Sequence, residues 1–235
     1  MVTEQTVRDN IARIRENIDT ACAKCGRNPE EITLMAVTKT VPPHLINVAY
    51  NCGIALFGEN KTQELCEKFD DYAFGEDKIH FIGHLQSNKV KYLPHKVSMI
   101  QSVSSVSLAA EIEKQFAKHD KTIDVLIEVN IGEEPQKSGV MPKDLENLVK
   151  EIEKLPHLNL RGFMTIPPFT HNILETEKYF FKMYEILLDF QLKIVDNIRV
   201  NILSMGMSDD YEVAIAHGAT VIRVGSAIFG ERNYT

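Results

Sequence analysis

Residues 34–40 read LMAVTKT, an apolar run that stops at a lysine. Consecutive apolar residues are typical of a strand buried on both faces, as in a parallel sheet covered by helices. Lys39 lies where that strand should end. A strand-end lysine is commonly a solvated terminus, but a lysine held in a pocket can act as a nucleophile. The arrangement of the other strands decides between these two interpretations.

Apolar runs of strand length recur along the chain and alternate with helical repeats. The clearest helical repeats cover 108–117, 145–155 and 179–192. Apolar residues spaced by three and four between Val7 and Cys22 predict a further helix before the first strand, which Gly26 closes. The strand-like runs are eight in number and lie at 32–37, 54–58, 79–83, 97–103, 124–131, 158–164, 200–206 and 220–225.

Eight apolar strands that alternate with helices predict an α/β fold with a parallel sheet. Eight is the number that closes a (β/α)8 TIM barrel, and the length of 235 residues suits one such barrel. An open, doubly wound sheet is the alternative, but it normally has polar or shortened edge strands, and none is evident. We therefore predict a single barrel domain over 1–235, with an extra N-terminal helix.

Composition excludes several classes of protein. The formal net charge is -7 and no dense block of basic residues occurs, so nucleic acid is not an expected partner. The longest apolar runs have the length of strands and the N-terminus is polar, so we expect no membrane partner and a cytoplasmic location. Cys22 and Cys25 form an isolated C-x-x-C pair without a second pair of ligands, so no metal site is predicted.

The active site of a β/α barrel lies at the carboxyl ends of its strands, so the residues that follow each strand are candidates. Lys39 follows the first strand, Asn60 the second and His84 the third. The fifth strand ends at Glu128 and Asn130, and the sixth ends at Met164. The polar residues therefore gather at the end of the barrel where chemistry is expected.

The loops after the seventh and eighth strands predict a phosphate site. SMGMSDD, at 204–210, precedes a helical pattern, and VGSAIFG, at 224–230, ends the eighth strand. Exposed backbone N–H groups and helix starts bind phosphate, and barrels often use these two loops for it. A tight turn with a serine cap explains each loop taken alone. The candidate phosphate ligands are Ser204, Gly206, Ser208, Gly225 and Ser226.

Arg223 lies inside the eighth strand, where a charge is costly without a partner. A phosphate site together with a Schiff-base lysine points to an aldolase substrate or to pyridoxal phosphate. Contact with a pyridine nitrogen is one use for a buried arginine. A salt bridge to a barrel carboxylate such as Glu128 is the alternative.

The motifs AVTKT, FGENKTQE, HFIGHLQSNK, QKSG, GFMTI, SMGMSDDYEVAI and RVGSAIFGER resemble those of the pyridoxal phosphate homeostasis proteins, single-domain relatives of the alanine racemase barrel. The resemblance spans 4–232. It implies the alanine racemase N-terminal-domain type of barrel, and pyridoxal 5'-phosphate as the cofactor, carried by Lys39 as a Schiff base. It also implies that the two serine- and glycine-rich loops hold the phosphate, that Arg223 faces the ring nitrogen, and that Asn60, His84 and Met164 line the pocket.

The resemblance leaves a carrier and an enzyme as alternatives. A carrier would buffer or deliver the cofactor in vitamin B6 and amino/keto-acid homeostasis, through transient contact with apo-enzymes. An amino-acid racemase or decarboxylase is the alternative, with a phosphosugar aldolase third. Barrel racemases use a second acid/base from a C-terminal β domain, and the sequence ends at Thr235, so we expect that domain, and its dimer contact, to be missing.

The expectation is therefore a monomeric carrier without sustained catalysis, although weak racemase-like activity stays open. Tyr234 could replace the missing second acid/base, though it lies near the chain end. A permanently charged Arg223 would also weaken the cofactor as an electron sink. This disfavours transaminase and decarboxylase chemistry but leaves racemisation open, since the related racemases share the feature. Lys61 and Lys137 are candidates for a second, surface cofactor site, and a solvated lysine is the alternative for each.

Overall fold

Eight short parallel strands close into one barrel in the computed structural model, which describes residues 2–193 and 200–230. Each strand pairs with the next along the chain, and β8 returns to pair with β1. The barrel prediction is confirmed and the open sheet was wrong, because Met35 of the first strand lies beside Arg223 of the last. The strands are β1 Thr33–Val37, β2 Leu56–Glu59, β3 Ile79–Phe81, β4 Met99–Val103, β5 Ile123–Glu128, β6 Leu158–Met164, β7 Ile202–Ser204 and β8 Val221–Val224.

Helices connect most of these strands on the outside of the barrel. The crossover from β3 to β4 differs, because its helical segment, Ser87–Tyr92, is a 3-10 helix. Among the described residues, no helix is long and apolar enough to cross a membrane. The α-helices are α1 Glu4–Cys25, α2 Pro43–Asn51, α3 Thr62–Lys68, α4 Val106–Ala117, α5 Leu145–Ile152, α6 Ile173–Lys193, α7 Tyr211–Ala216 and α8 Ser226–Phe229.

The predicted N-terminal helix is α1, and it supports the last two helices of the barrel. Its start is capped by Thr3, whose side chain accepts a hydrogen bond from the N–H of Thr6, and Gly26 ends it with a φ of 71°. The side-chain amide of Asn17 donates to the hydroxyl of Tyr211 at 2.9 Å. That of Asn10 donates to the carbonyl of Ile228 at 2.9 Å. Helix α1 therefore fixes the two elements that follow the candidate phosphate loops.

The interior of the barrel divides into apolar and polar parts. Met35, Val37, Ile82 and Val221 pack together as one apolar cluster, and Met99, Leu126 and Met164 form another. Polar side chains are also buried between the strands, and they require hydrogen-bond partners there. The buried polar side chains of the strands are Glu59, His80, Gln101, Ser102, Glu128, Ser204 and Arg223.

Candidate functional site

A cavity of about 470 Å³ opens at the carboxyl ends of the strands. This volume lies within the range of about 300–1,000 Å³ that is common for small-molecule sites. Polar and apolar side chains share its wall. They come from β1 and β8 and from the segments that follow β1, β2, β3, β6, β7 and β8. The lining residues are Val37, Lys39, Asn60, Ile82, Ile166, Met207, Ser208, Asp209, Arg223, Gly225 and Ser226.

Lys39 is half-buried on the wall of this cavity, two residues beyond the end of β1. Among the described residues, its ammonium group forms no ion pair and no hydrogen bond. The next residue, Thr40, adopts a φ of 62°, a left-handed conformation that is uncommon for residues other than glycine. Its N–H donates to the carboxylate of Glu64. The backbone at Lys39 is thus held in a turn while the side chain stays available.

A buried polar cluster supports that turn from outside the barrel. Glu64 also pairs with Lys68, whose ammonium group donates to the carbonyl of Thr38 at 3.2 Å. The hydroxyls of Thr38 and Tyr72 each lie 2.6 Å from Oε1 of Glu59 and donate to it. Burial raises the pKa of the Glu59 carboxyl, and the two hydrogen bonds oppose that shift. Its Oε2 has no hydrogen-bond partner among the residues that the structure describes.

The loops after β7 and β8 form another part of the cavity wall, next to Lys39, since β8 pairs with β1. Gly206 has a φ of 91°, and a Cβ atom there would lie 2.6 Å from that of Ala214, so the turn requires glycine. The hydroxyl oxygen of Ser208 accepts hydrogen bonds from the N–H groups of Gly225 and Ala227, at 3.3 and 3.2 Å. Backbone N–H groups therefore converge at this wall, as phosphate recognition requires.

Arg223 supplies the buried positive charge of the site. Its Nη1 donates to the hydroxyl of Ser204 at 2.8 Å, and its Nη2 donates to the carbonyl of Thr165 at 2.8 Å. Desolvation lowers its pKa to about 10, against the attraction of Asp210 and Glu128, so it remains charged at neutral pH. The hydroxyl of Ser138 donates to Glu128 at 2.7 Å. Arg223 thus uses neutral partners rather than the predicted alternative, a salt bridge to Glu128.

The structure brings six of the ten predicted binding residues to this cavity. These six are Lys39, Asn60, Ser208, Arg223, Gly225 and Ser226.

The other four lie elsewhere. His84 is exposed and lines a smaller neighbouring pocket with Asn60. Met164 is buried in the apolar interior, Ser204 is buried beside Arg223, and Gly206 shapes the turn behind Ser208. Tyr234 lies outside the described residues.

Several lining residues were not singled out in the sequence. Ile82 ends an apolar run, so its pattern indicates a strand and not a site. Met207 and Asp209 lie inside SMGMSDD, in which the serines and the glycine are the residue types typical of a phosphate loop. Ile166 is 40% exposed, and Met207 is 38% exposed beside it. An exposed apolar residue just after a strand indicates a pocket wall, but its exposure is known only once the chain has folded.

The cavity has the donor set that a phosphorylated aldehyde with an aromatic ring nitrogen needs. A lysine amine, backbone N–H groups and a buried guanidinium all line this one cavity. Oδ1 of Asn60 is buried and has no hydrogen-bond partner in the described part of the chain, so it can accept a hydrogen bond from a ligand. In the part of the chain that the structure describes, no group of three or more potential metal ligands occurs.

Comparisons with known proteins agree with this chemistry. Residues 10–233 match the family model described as the N-terminal domain of alanine racemase. A pyridoxal phosphate homeostasis protein from Aquifex aeolicus is 43% identical over 226 residues, which cover 96% of this chain and 98% of that one.

Two solved structures have the same barrel at nearly full length. An unknown protein from Bifidobacterium adolescentis superposes with a TM-score of 0.92 and 31% identity, over 97% of this chain and 98% of its own. PipY of Synechococcus elongatus with pyridoxal phosphate bound gives a TM-score of 0.80 and 30% identity, over 95% of this chain and all of its own.

Replacement of Glu59 by glutamine should make stability less dependent on pH. Because the folded-state pKa of Glu59 is raised, its stabilising contribution is present below the unfolded-state pKa and is lost as pH rises through the folded-state value. Glu59→Gln removes this loss, so the free energy of unfolding of the variant should rise relative to that of the wild type as pH increases from about 4.3, the ordinary pKa of a glutamate, towards neutrality. Urea unfolding across that interval measures the difference.

The matched control is Glu67→Gln, at an exposed position on the same helix–strand unit. It should follow the wild type at every pH. A Glu59→Gln curve that stays parallel to the wild-type curve would show that Glu59 is ionised throughout.

Proposed function

This chain belongs to the alanine racemase N-terminal-domain family and, within it, to the pyridoxal phosphate homeostasis proteins, and we propose that it binds pyridoxal 5'-phosphate reversibly at the Lys39 cavity. The observation that carries the proposal is the half-buried Lys39, whose amine has no partner among the described residues and shares a cavity with Arg223. PipY, a relative with the same fold, binds pyridoxal phosphate.

Each part of the cofactor has a matching group in the cavity. When bound, the cofactor supplies an aldehyde that condenses with a lysine amine, losing one water to form a Schiff base. Lys39 is the residue for that bond. The N–H groups of Gly225 and Ala227 orient the Ser208 hydroxyl, which would donate its proton to the phosphate. Arg223 would donate a hydrogen bond to the ring nitrogen. Asn60 offers the unpaired acceptor.

The protonation of the site favours a carrier over an enzyme. Arg223 remains charged at neutral pH, so it can donate a hydrogen bond but cannot give up a proton to the ring nitrogen. Racemisation needs an acid/base on both faces of the cofactor. Among the described lining residues, the titratable groups besides Arg223 are Lys39 and Asp209, and Asp209 is exposed at the rim. Covalent retention of the cofactor, by contrast, needs the Lys39 amine and no second acid/base.

The function that we propose is the storage and delivery of pyridoxal phosphate within vitamin B6 and amino/keto-acid homeostasis. Apo forms of pyridoxal phosphate enzymes are the proposed recipients, in transient contact with a monomeric, cytoplasmic carrier. An amino-acid racemase is the second candidate, because the matched family model is that of alanine racemase.

Lys39→Ala should abolish covalent retention of the cofactor. Incubation with pyridoxal phosphate followed by borohydride should label one peptide, the one that contains Lys39, because reduction turns a Schiff base into a stable secondary amine. Lys61→Ala is the matched control, since Lys61 is exposed and lines the neighbouring small pocket. Mass spectrometry of the digested protein locates the label. A label that survives in Lys39→Ala would assign the bond to another lysine.

Ser208→Ala should weaken phosphate recognition selectively. Loss of a hydrogen bond to a charged group typically costs about 1.5–3 kcal/mol, so affinity for pyridoxal phosphate should fall about tenfold or more. Affinity for pyridoxal, which lacks the phosphate, should stay within about twofold of the wild type. Absorbance titrations of both aldehydes measure this. An equal loss for both would place the phosphate elsewhere.

The loaded protein should restore activity to an apo-enzyme without turning over amino acids itself. Transfer is measured as recovered activity of a purified pyridoxal phosphate enzyme, with Lys39→Ala as the control donor. Chiral analysis after incubation with L- and D-alanine tests the second candidate. Racemisation at an ordinary enzymatic rate of about 1–1,000 per second would overturn the carrier proposal.

A further inference from the structure

Four buried polar side chains form a continuous line of hydrogen bonds across the barrel interior. Nη1 of Arg223 lies 2.8 Å from the hydroxyl of Ser204, and that hydroxyl lies 2.7 Å from Oε1 of Gln101. Nε2 of Gln101 lies 2.9 Å from Nδ1 of His80. The line runs from β8 through β7 to β4 and β3, so it joins walls of the barrel that are not adjacent. Its members are between 0% and 6% exposed.

The guanidinium dictates the direction of every bond in this line. Arginine has donors and no acceptor, so the hydroxyl oxygen of Ser204 must accept from Arg223. The single hydroxyl proton of Ser204 is then free to donate to Oε1 of Gln101. The amide of Gln101 is thereby oriented with its Nε2 toward His80, and Nε2 can only donate. Nδ1 of His80 must therefore be an unprotonated acceptor.

The reversed amide of Gln101 satisfies fewer groups. With oxygen and nitrogen exchanged, Gln101 would donate to a Ser204 oxygen that already accepts from Arg223. The proton of Ser204 would then lose the acceptor it has in the structure, Oε1 of Gln101. A buried donor without an acceptor costs about 1–3 kcal/mol, so the direction from Arg223 to His80 is preferred. Burial also lowers the pKa of His80 to about 4, consistent with a neutral ring.

We propose that Ser204, Gln101 and His80 form a one-directional hydrogen-bond relay that holds the guanidinium of Arg223 toward the cavity, so that Gln101 and His80 are positioning residues for the cofactor ring. The carbonyl of Thr165 holds the second nitrogen, Nη2, at 2.8 Å. Together these contacts leave Arg223 one orientation. The part of this inference that concerns the ring rests on the proposed function, whereas the relay itself concerns only the chain's own residues.

The relay assigns the tautomer of His80 in the cofactor-free protein. Histidine-selective ¹⁵N labelling of the full chain and NMR at neutral pH should show Nδ1 unprotonated and Nε2 protonated. The signal is identified by its absence in His80→Asn. A proton on Nδ1, or protons on both nitrogens, would overturn the relay. The tautomer itself is measured on the wild-type chain and needs no cofactor.

A pair of variants separates the relay from simple packing. Asparagine can place its side-chain oxygen near the position of Nδ1, so His80→Asn keeps an acceptor for Gln101 although it loses volume. His80→Phe keeps the ring volume and loses the acceptor. With the relay, His80→Phe should bind pyridoxal phosphate about five- to tenfold more weakly and shift the absorbance maximum of the bound cofactor, whereas His80→Asn should stay within about twofold of the wild type.

If His80→Asn instead bound pyridoxal phosphate more weakly than His80→Phe, packing alone would explain the role of His80, and the proposal would be overturned. Circular dichroism and urea midpoints establish that both variants are folded before binding is measured. Borohydride labelling at Lys39 serves as the independent readout of the proposed function. If the wild type takes up no cofactor, the proposed function fails, and the tautomer of His80 still decides the relay.

Discussion

A charge buried in the wall of the barrel is the constraint on which the rest of the site depends. Arg223 is 3% exposed and keeps its proton at neutral pH, so its guanidinium must find acceptors among the strands. Those acceptors are the hydroxyl of Ser204 and the carbonyl of Thr165. Ser204 in turn requires Gln101, and Gln101 requires His80. The buried cation therefore explains why a line of polar side chains crosses a barrel interior that also contains two apolar clusters.

Lys39 lines the same cavity as Arg223, but the surroundings of its charged group are different. Its ammonium group is half-buried and has no partner among the described residues, whereas the backbone beside it is tightly held. Thr40 stays in a left-handed conformation because Glu64 binds its N–H. Glu64 pairs with Lys68, whose ammonium group also donates to the carbonyl of Thr38. A site that restrains the backbone and leaves the amine free suits reversible capture of an aldehyde. This division of roles agrees with the proposed carrier.

Periodicity predicted most of the fold, and its errors have physical causes. The helical pattern suggested a start at Tyr179 for α6, but the helix begins at Ile173. Ile173 is 58% exposed and Leu174 is 61% exposed, so the first turn lacks the buried face that a periodicity argument detects. The crossover between β3 and β4 offered no helical repeat, and its helical segment is a 3-10 helix.

The sequence by itself determined the number of strands, the place of Lys39 at a strand end and the two glycine- and serine-rich loops, because strand alternation and turn chemistry are local properties. Only the tertiary structure decided what the buried polar side chains contact. Ser204 looked like a phosphate ligand in its loop, yet its hydroxyl joins Arg223 to Gln101, which lies 103 residues away in the chain. Closure of the barrel places non-neighbouring strands opposite each other. No local sequence pattern specifies which of their residues meet across the barrel interior.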